Sequence, residues 1–134
     1  MPKIADMLFL LSAKTATAGY NKPLQIADFL LLFATLDGLF MAALNYEKKI
    51  IPLILAIGHG LFVVAGLTLF VIAMMSANLG IYITVSFILL MVATLGGPVL
   101  IRYRIRKQPL PRAFVLVHGL IVILAFAIQT PYWR

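Results

Sequence analysis

The chain has 134 residues, of which 63% are hydrophobic and 11% are charged, and its formal net charge is +7. Its mean hydropathy is +1.08. A soluble domain of this size could not keep so much apolar surface in water, so the composition predicts a one-domain integral membrane protein. The sequence has no cysteine, which excludes disulfides, thiolate metal sites, iron–sulfur clusters and covalently attached c-type haem.

The N-terminal segment, residues 1–24, has a short apolar stretch flanked by Lys3, Lys14 and Lys22. Its outline resembles a signal peptide, but the apolar region is short and Asp6 interrupts its start. We therefore expect a retained helix over residues 4–18 that lies in the membrane interface. An additional membrane span is the alternative.

The rest of the chain, residues 25–134, contains four apolar segments of about 20 residues, the length that crosses a bilayer as a helix. They are Ile26–Leu44, Ile50–Met75, Leu79–Ile101 and Leu110–Gln129. The links between them are short, which favours antiparallel neighbours. The expected fold is all-α, an up-down four-helix membrane bundle, with a kink in the third span at Gly96-Gly97-Pro98.

The basic residues predict an orientation. Seven Lys and Arg residues fall in or next to the two links on one side, and four fall on the other side. The positive-inside rule then puts both links in the cytoplasm and both termini outside, as in a bacterial-type inner membrane. A nucleic-acid partner is rejected, since the main cluster abuts a span and is better explained by topology and by attraction to anionic lipid; it comprises Arg102, Arg104, Arg106 and Lys107.

An internal repeat relates the two halves of the chain. When the sequence is shifted by 59 positions, twelve of the forty residues from Leu30 to Leu69 are identical to their counterparts. The most specific match is Pro-x6-His-Gly-Leu, which pairs the only two histidines, His59 and His118. The pattern predicts a two-plus-two parallel repeat, over about 26–75 and 85–134.

Both histidines lie inside long apolar runs, where an ionisable ring is costly and indicates a functional site. Each is seven residues past a proline, so the two should lie at the same depth, about 10 Å into the bundle. Their helices are expected to be diagonal neighbours about 13–14 Å apart. This separation is too large for direct contact between the rings but suits two ligands on opposite sides of one flat metallo-macrocycle.

Paired histidines on two helices of a small membrane bundle resemble those of membrane-bound b-type cytochromes. The resemblance implies one haem b per chain, with His59 and His118 as axial ligands. Many members of that family have four ligand histidines and two haems, so a two-haem path within this chain is not expected. Several small residues near the histidines are expected to line the cofactor, namely Gly38, Gly60, Gly66, Gly97 and Gly119.

Two other interpretations stay open for the histidines. They could form hydrogen bonds that hold helices together, or they could make a proton or metal site. Asp37, in the middle of the first span, is expected to be either a second-shell partner of the His59 ring or a proton carrier. Beside it, a stripe of small residues (Ala34, Gly38, Ala42) predicts a close helix contact, either within the chain or in a homodimer or larger membrane complex.

The expected function is therefore a single-haem b-type cytochrome that transfers electrons or serves as the haem subunit of an oxidoreductase. The alternatives are a proton-coupled carrier or channel that uses Asp37 and the histidines, and a non-catalytic accessory subunit of a membrane complex. No phosphate-binding loop, serine-hydrolase motif, carboxylate pair or zinc-ligand cluster occurs in the sequence.

Overall fold

A computed structural model of the chain describes Ile4 and residues 22–129. In this part of the chain the regular elements are α-helices: α1 (Lys22–Tyr46), α2 (Leu53–Ser76), α3 (Gly80–Thr94), α4 (Gly96–Ile105) and α5 (Arg112–Gln129). Helices α3 and α4 together make one span, so four segments are long and apolar enough to cross a membrane. The prediction of an all-α fold with four segments able to span a membrane is confirmed for this part of the chain. Apart from Ile4, which is helical, the predicted interfacial helix lies outside the described residues.

Two prolines determine where α2 and α5 begin. The Pro52 carbonyl accepts a hydrogen bond from the Ala56 N–H at 3.3 Å, and the Pro111 carbonyl accepts one from Val115 at 3.2 Å. Proline suits the start of a helix because its fixed φ is already helical and its missing N–H would have no partner there. These helices therefore begin two or three residues after the predicted starts of their spans.

Helices α1 and α4 end in the same way. Lys48 and Lys107 follow the two helices with φ of 57° and 52°, in the left-handed region. The next residue then bonds back into each helix, from Lys49 N to Leu44 O at 2.9 Å and from Gln108 N to Tyr103 O at 3.0 Å. This is the Schellman arrangement, which satisfies the last carbonyl groups of a helix.

The predicted interruption of the third span is a break at Leu95. Helix α3 ends at Thr94 and α4 begins at Gly96, while the Leu95 N–H bonds back to Val92 O at 3.2 Å. Pro98 cannot donate the hydrogen bond that would continue the ladder from Thr94. The break brings the start of α4 to the level of the second histidine.

The helices pack as two hairpins. Helix α1 packs along α2 and α3 packs along α5, with smaller contacts between α1 and α5 and between α2 and α3. The tightest packing is at the end that carries the link between α2 and α3, where Leu24, Phe70, Ile83 and Ala125 are fully buried. Most other large apolar side chains are exposed, as expected of helices whose outer surface contacts lipid.

Polar bonds join helices at both ends of the bundle. At one end the buried Asn45 side chain donates to the Leu110 carbonyl at 3.1 Å and accepts from the Leu110 N–H at 2.7 Å. At the other end the Ser86 hydroxyl donates to the Ala125 carbonyl at 2.9 Å and accepts from the Gln129 amide. The first pair ties α1 to the residues preceding α5, so it links the two hairpins.

Candidate functional site

The ring of His59 is fixed against α1. Its Nδ1 atom lies 3.0 Å from the Ala34 carbonyl oxygen. A carbonyl only accepts hydrogen bonds, so Nδ1 must carry the proton. The ring also lies on Gly38, where an added Cβ would stand 3.2 Å from His59 Cε1. Ala34 and Gly38 are one helical turn apart, and their small size lets the imidazole reach the backbone of α1.

The ring of His118 packs against a glycine in the same manner in the other hairpin. It lies on Gly96, the first residue of α4, where an added Cβ would be 2.8 Å from His118 Nδ1. The backbone of Ala93, near the end of α3, lies beside the ring. The spacing between histidine and alanine is 25 residues in both hairpins. Ala34 and Ala93 are themselves a matched pair in the repeated sequence.

The two rings have the same orientation within their own hairpins. Both are partly buried, and both turn the Nδ1 edge toward the helix that precedes them in the chain. With Nδ1 of His59 protonated, Nε2 of that ring carries the lone pair, which is the form in which a neutral histidine binds a metal. A backbone carbonyl at the other nitrogen is a common way to orient such a ligand.

The five glycines predicted beside a cofactor have different surroundings. Gly38 contacts the His59 ring. Gly66 is buried between α1 and α2, where a Cβ would stand 2.7 Å from Leu31 Cγ. Within the described chain, Gly60, Gly97 and Gly119 have no packing neighbour within 4 Å of such a Cβ. In the second hairpin the glycine against the histidine is therefore Gly96, one position before Gly97.

Asp37 is half-buried in the middle of α1, next to Gly38. The expected hydrogen bond from the His59 ring to Asp37 does not occur among the described residues, because Nδ1 bonds to the Ala34 carbonyl instead. Two residues of the predicted stripe of Ala34, Gly38 and Ala42 make a close contact within the chain. Ala34 and Gly38 contact the His59 ring.

Four buried polar residues of the described chain were not predicted from the sequence: Asp28, Asn45, Ser86 and Gln129. Asp28 lies near the start of α1, and Ser86 and Gln129 hydrogen-bond to each other between α3 and α5. The backbone acceptor at Ala34 was not predicted either. The match of Ala34 with Ala93 in the repeat was the one signal that could have indicated it.

Over residues 22–129, no three histidine or acidic side chains come together as a metal-binding group. A site with only two protein ligands, such as the axial pair of a haem, has too few side chains to count as such a group. Comparison with protein-family models, with curated proteins and with solved structures finds no match to this chain. The function must therefore be argued from the histidine site itself.

Proposed function

We propose that the protein is a membrane-embedded b-type cytochrome in which His59 and His118 are the axial ligands of a single haem. The observation that carries the proposal is the hydrogen bond from Nδ1–H of His59 to the Ala34 carbonyl at 3.0 Å. The His118 ring lies against Gly96 in the other hairpin, as the His59 ring lies against Gly38. These contacts orient both rings, and the hydrogen bond leaves Nε2 of His59 able to coordinate iron.

The order of helix contacts supports the same proposal. Contacts run from α1 to α2, from α2 to α3, from α3 to α5 and from α5 back to α1. In an up-down bundle connected in this way, α2 and α5 lie across the bundle from each other, and they carry the two histidines. Gly60 and Gly119 follow the histidines and have open space beside them, so a flat ring could pass without meeting a bulky side chain.

The matched backbone features support a two-plus-two repeat as the frame of the site. Residues 59 positions apart share the left-handed turns at Lys48 and Lys107 and the helix starts at Pro52 and Pro111. We propose that the two hairpins are equivalent units, each of which supplies one axial histidine at the same depth. Both basic links would face the cytoplasm.

A bound haem b would supply one-electron redox chemistry, with a potential adjusted by burial and by hydrogen bonds to its ligands. The residues of this chain would hold the iron through two neutral imidazoles and exclude water with the apolar side chains of α2 and α5. The carbonyl of Ala34 would make His59 a stronger ligand of the iron by polarising its Nδ1–H group.

The experiment is to purify the full-length protein from cells supplied with a haem precursor and to measure haem per chain. The proposal predicts about one haem per wild-type chain and its loss in both His59→Ala and His118→Ala. Thr68→Ala removes a polar side chain from the same helix as His59 and serves as the matched control; it should keep its haem. Circular dichroism verifies that each variant is folded. A colourless wild-type protein, or retention of haem by both histidine variants, would refute the proposal.

A proton-coupled carrier is the second candidate, and Asp37 favours it. The carboxylate is half-buried in a membrane-spanning helix, and its neighbour Gly38 contacts the His59 ring. An ionisable side chain at that depth is costly unless it has a use. Proton uptake into liposomes that contain the colourless protein would support this function.

A further inference from the structure

A basic cavity lies between the links of the two hairpins. Its volume is about 60 Å³, several times the ~10–15 Å³ that a cavity needs to hold one water molecule. Four cationic side chains line it, and no acidic residue of the described chain does; the cations are Lys48, Lys49, Arg104 and Lys107. Lys49 already pairs with Glu47 at 2.5 Å. The other three charges favour an anion in the cavity.

Arg104 provides the most direct indication of a ligand. Its Nε atom is buried and has no hydrogen-bond partner in the described chain. A buried donor on a charged group is costly to leave unsatisfied. The guanidinium offers donors in a planar fork that matches the oxygens of a phosphate, so a phosphate in the cavity would satisfy Nε and neutralise the charge.

The backbone holds two of the lysines at the cavity. Lys48 and Lys107 have φ of 57° and 52°, a conformation in which glycine is usual after a helix. Lysine is unfavourable there, yet it occupies this position in both links. Both side chains line the cavity. A requirement for positive charge there explains why lysine occurs in a left-handed conformation that disfavours it.

The other residues that line the cavity indicate which kind of molecule carries the phosphate. The buried Ile51 and the half-buried Leu100 and Leu110 also line the cavity, together with Tyr103, an aromatic residue of the type found at membrane interfaces. A wall that is cationic and apolar at the end of the spans suits a headgroup with acyl chains beside it. We propose that this cavity binds the phosphate of an anionic membrane phospholipid between the two hairpins.

The proposal distinguishes Arg104 from its neighbours in α4. Arg102 is exposed and is not among the residues of the cavity, and the same holds for Arg106, which follows the helix. A diffuse attraction between the basic cluster and the membrane would use all three arginines equally. A specific phosphate site would depend on Arg104, Lys48 and Lys107.

The test is native mass spectrometry of the full-length protein in mixed micelles of phosphatidylglycerol and phosphatidylcholine. We expect the wild type to retain one phosphatidylglycerol preferentially. Arg104→Gln and the exposed pair Lys48→Gln/Lys107→Gln should each weaken retention about tenfold to a hundredfold, as expected for a charge-assisted hydrogen bond. The pair also serves as the test if Arg104→Gln fails to fold. Arg102→Gln and Arg106→Gln are the matched controls and should have almost no effect.

Two outcomes would overturn the proposal. Equal losses in Arg102→Gln and Arg104→Gln would mean that the charge cluster attracts lipid without a site. A rise in the unfolding temperature of the wild type with millimolar inorganic phosphate alone, and no further rise with phosphatidylglycerol, would mean that inorganic phosphate is the ligand instead. Both readouts are independent of haem, so they separate this inference from the proposed function.

Discussion

The candidate site consists of His59 and His118, and small neighbouring residues determine how the two rings are held. Each histidine ring lies on a glycine of the preceding helix, and His59 also hydrogen-bonds to the Ala34 carbonyl. A larger residue at either glycine would push the imidazole away from the backbone. The sequence pattern that matters is therefore His59 with Ala34 and Gly38, and His118 with Ala93 and Gly96.

The substitution Gly96→Ala tests this packing. The new Cβ would stand 2.8 Å from His118 Nδ1, so the ring must move, and we expect a loss of about 1–3 kcal/mol in the free energy of unfolding from overpacking. Gly97→Ala is the control, because no packing neighbour in the described chain lies within 4 Å of its Cβ. Unfolding in detergent, followed by circular dichroism, measures both. Equal stability of the two variants would contradict the placement of the ring.

Asp37→Asn separates the two candidate functions. The Ala34 carbonyl already receives the Nδ1 proton of His59, so in a cytochrome the variant should keep both its haem content and its absorption spectrum. A proton carrier that depends on the carboxylate would instead lose proton-coupled uptake in liposomes. Measuring the spectrum and the uptake on the same preparation distinguishes the outcomes. Loss of haem with unchanged uptake would contradict both accounts.

At the scale of helices, close packing within the first hairpin depends on Gly66. Its position against Leu31 and the Ala27 carbonyl brings α1 and α2 together. We expect Gly66→Ala to lower the free energy of unfolding by about 1–3 kcal/mol, because its Cβ would stand 2.7 Å from Leu31 Cγ.

A double-mutant cycle with Leu31→Ala examines the contact itself. Shortening Leu31 removes the clashing atoms, so the double variant should be more stable than the sum of the two single effects predicts. Gly58→Ala, which meets no neighbour within 4 Å in the described chain, is the control on the same helix. Additive effects would mean that Gly66 is needed for a reason other than its contact with Leu31.

Much of the helix arrangement is predictable from hydropathy, and the exceptions have physical causes. All four spans occur, but α1 continues to Lys22 and Tyr46 beyond the apolar segment, because polar residues are tolerated at the ends of a membrane helix. Ile50 and Ile51 were counted as helical on hydropathy, yet the helix begins after Pro52. The third span breaks at Leu95, just before the expected Gly-Gly-Pro sequence.

The site was only partly predictable. The repeat identified the two histidines, because an ionisable residue in an apolar run is conspicuous. It did not identify the carbonyl that accepts the hydrogen bond of His59, since every residue has a carbonyl and the sequence does not mark which one is near. Asp37 was expected to fill that role because a carboxylate in an apolar run is easily recognised in a sequence. Gly96, rather than its neighbour Gly97, contacts the His118 ring, next to the break at Leu95.

In the whole molecule, two hairpins share the left-handed turns at Lys48 and Lys107 and the helix starts after Pro52 and Pro111, and each hairpin carries one histidine. The Asn45–Leu110 bonds link the hairpins at one end, and the basic cavity lies at the same link. The central claim is that the two histidines meet on one haem iron.

The absorption spectrum of the full-length protein, purified from cells supplied with a haem precursor and recorded before and after reduction, tests this claim most directly. Two imidazole ligands make a low-spin centre. The account predicts a Soret band with sharp, well-separated α and β bands on reduction. A protein without a Soret band would contradict this claim. A high-spin spectrum that stays unchanged when either histidine is replaced would also contradict it.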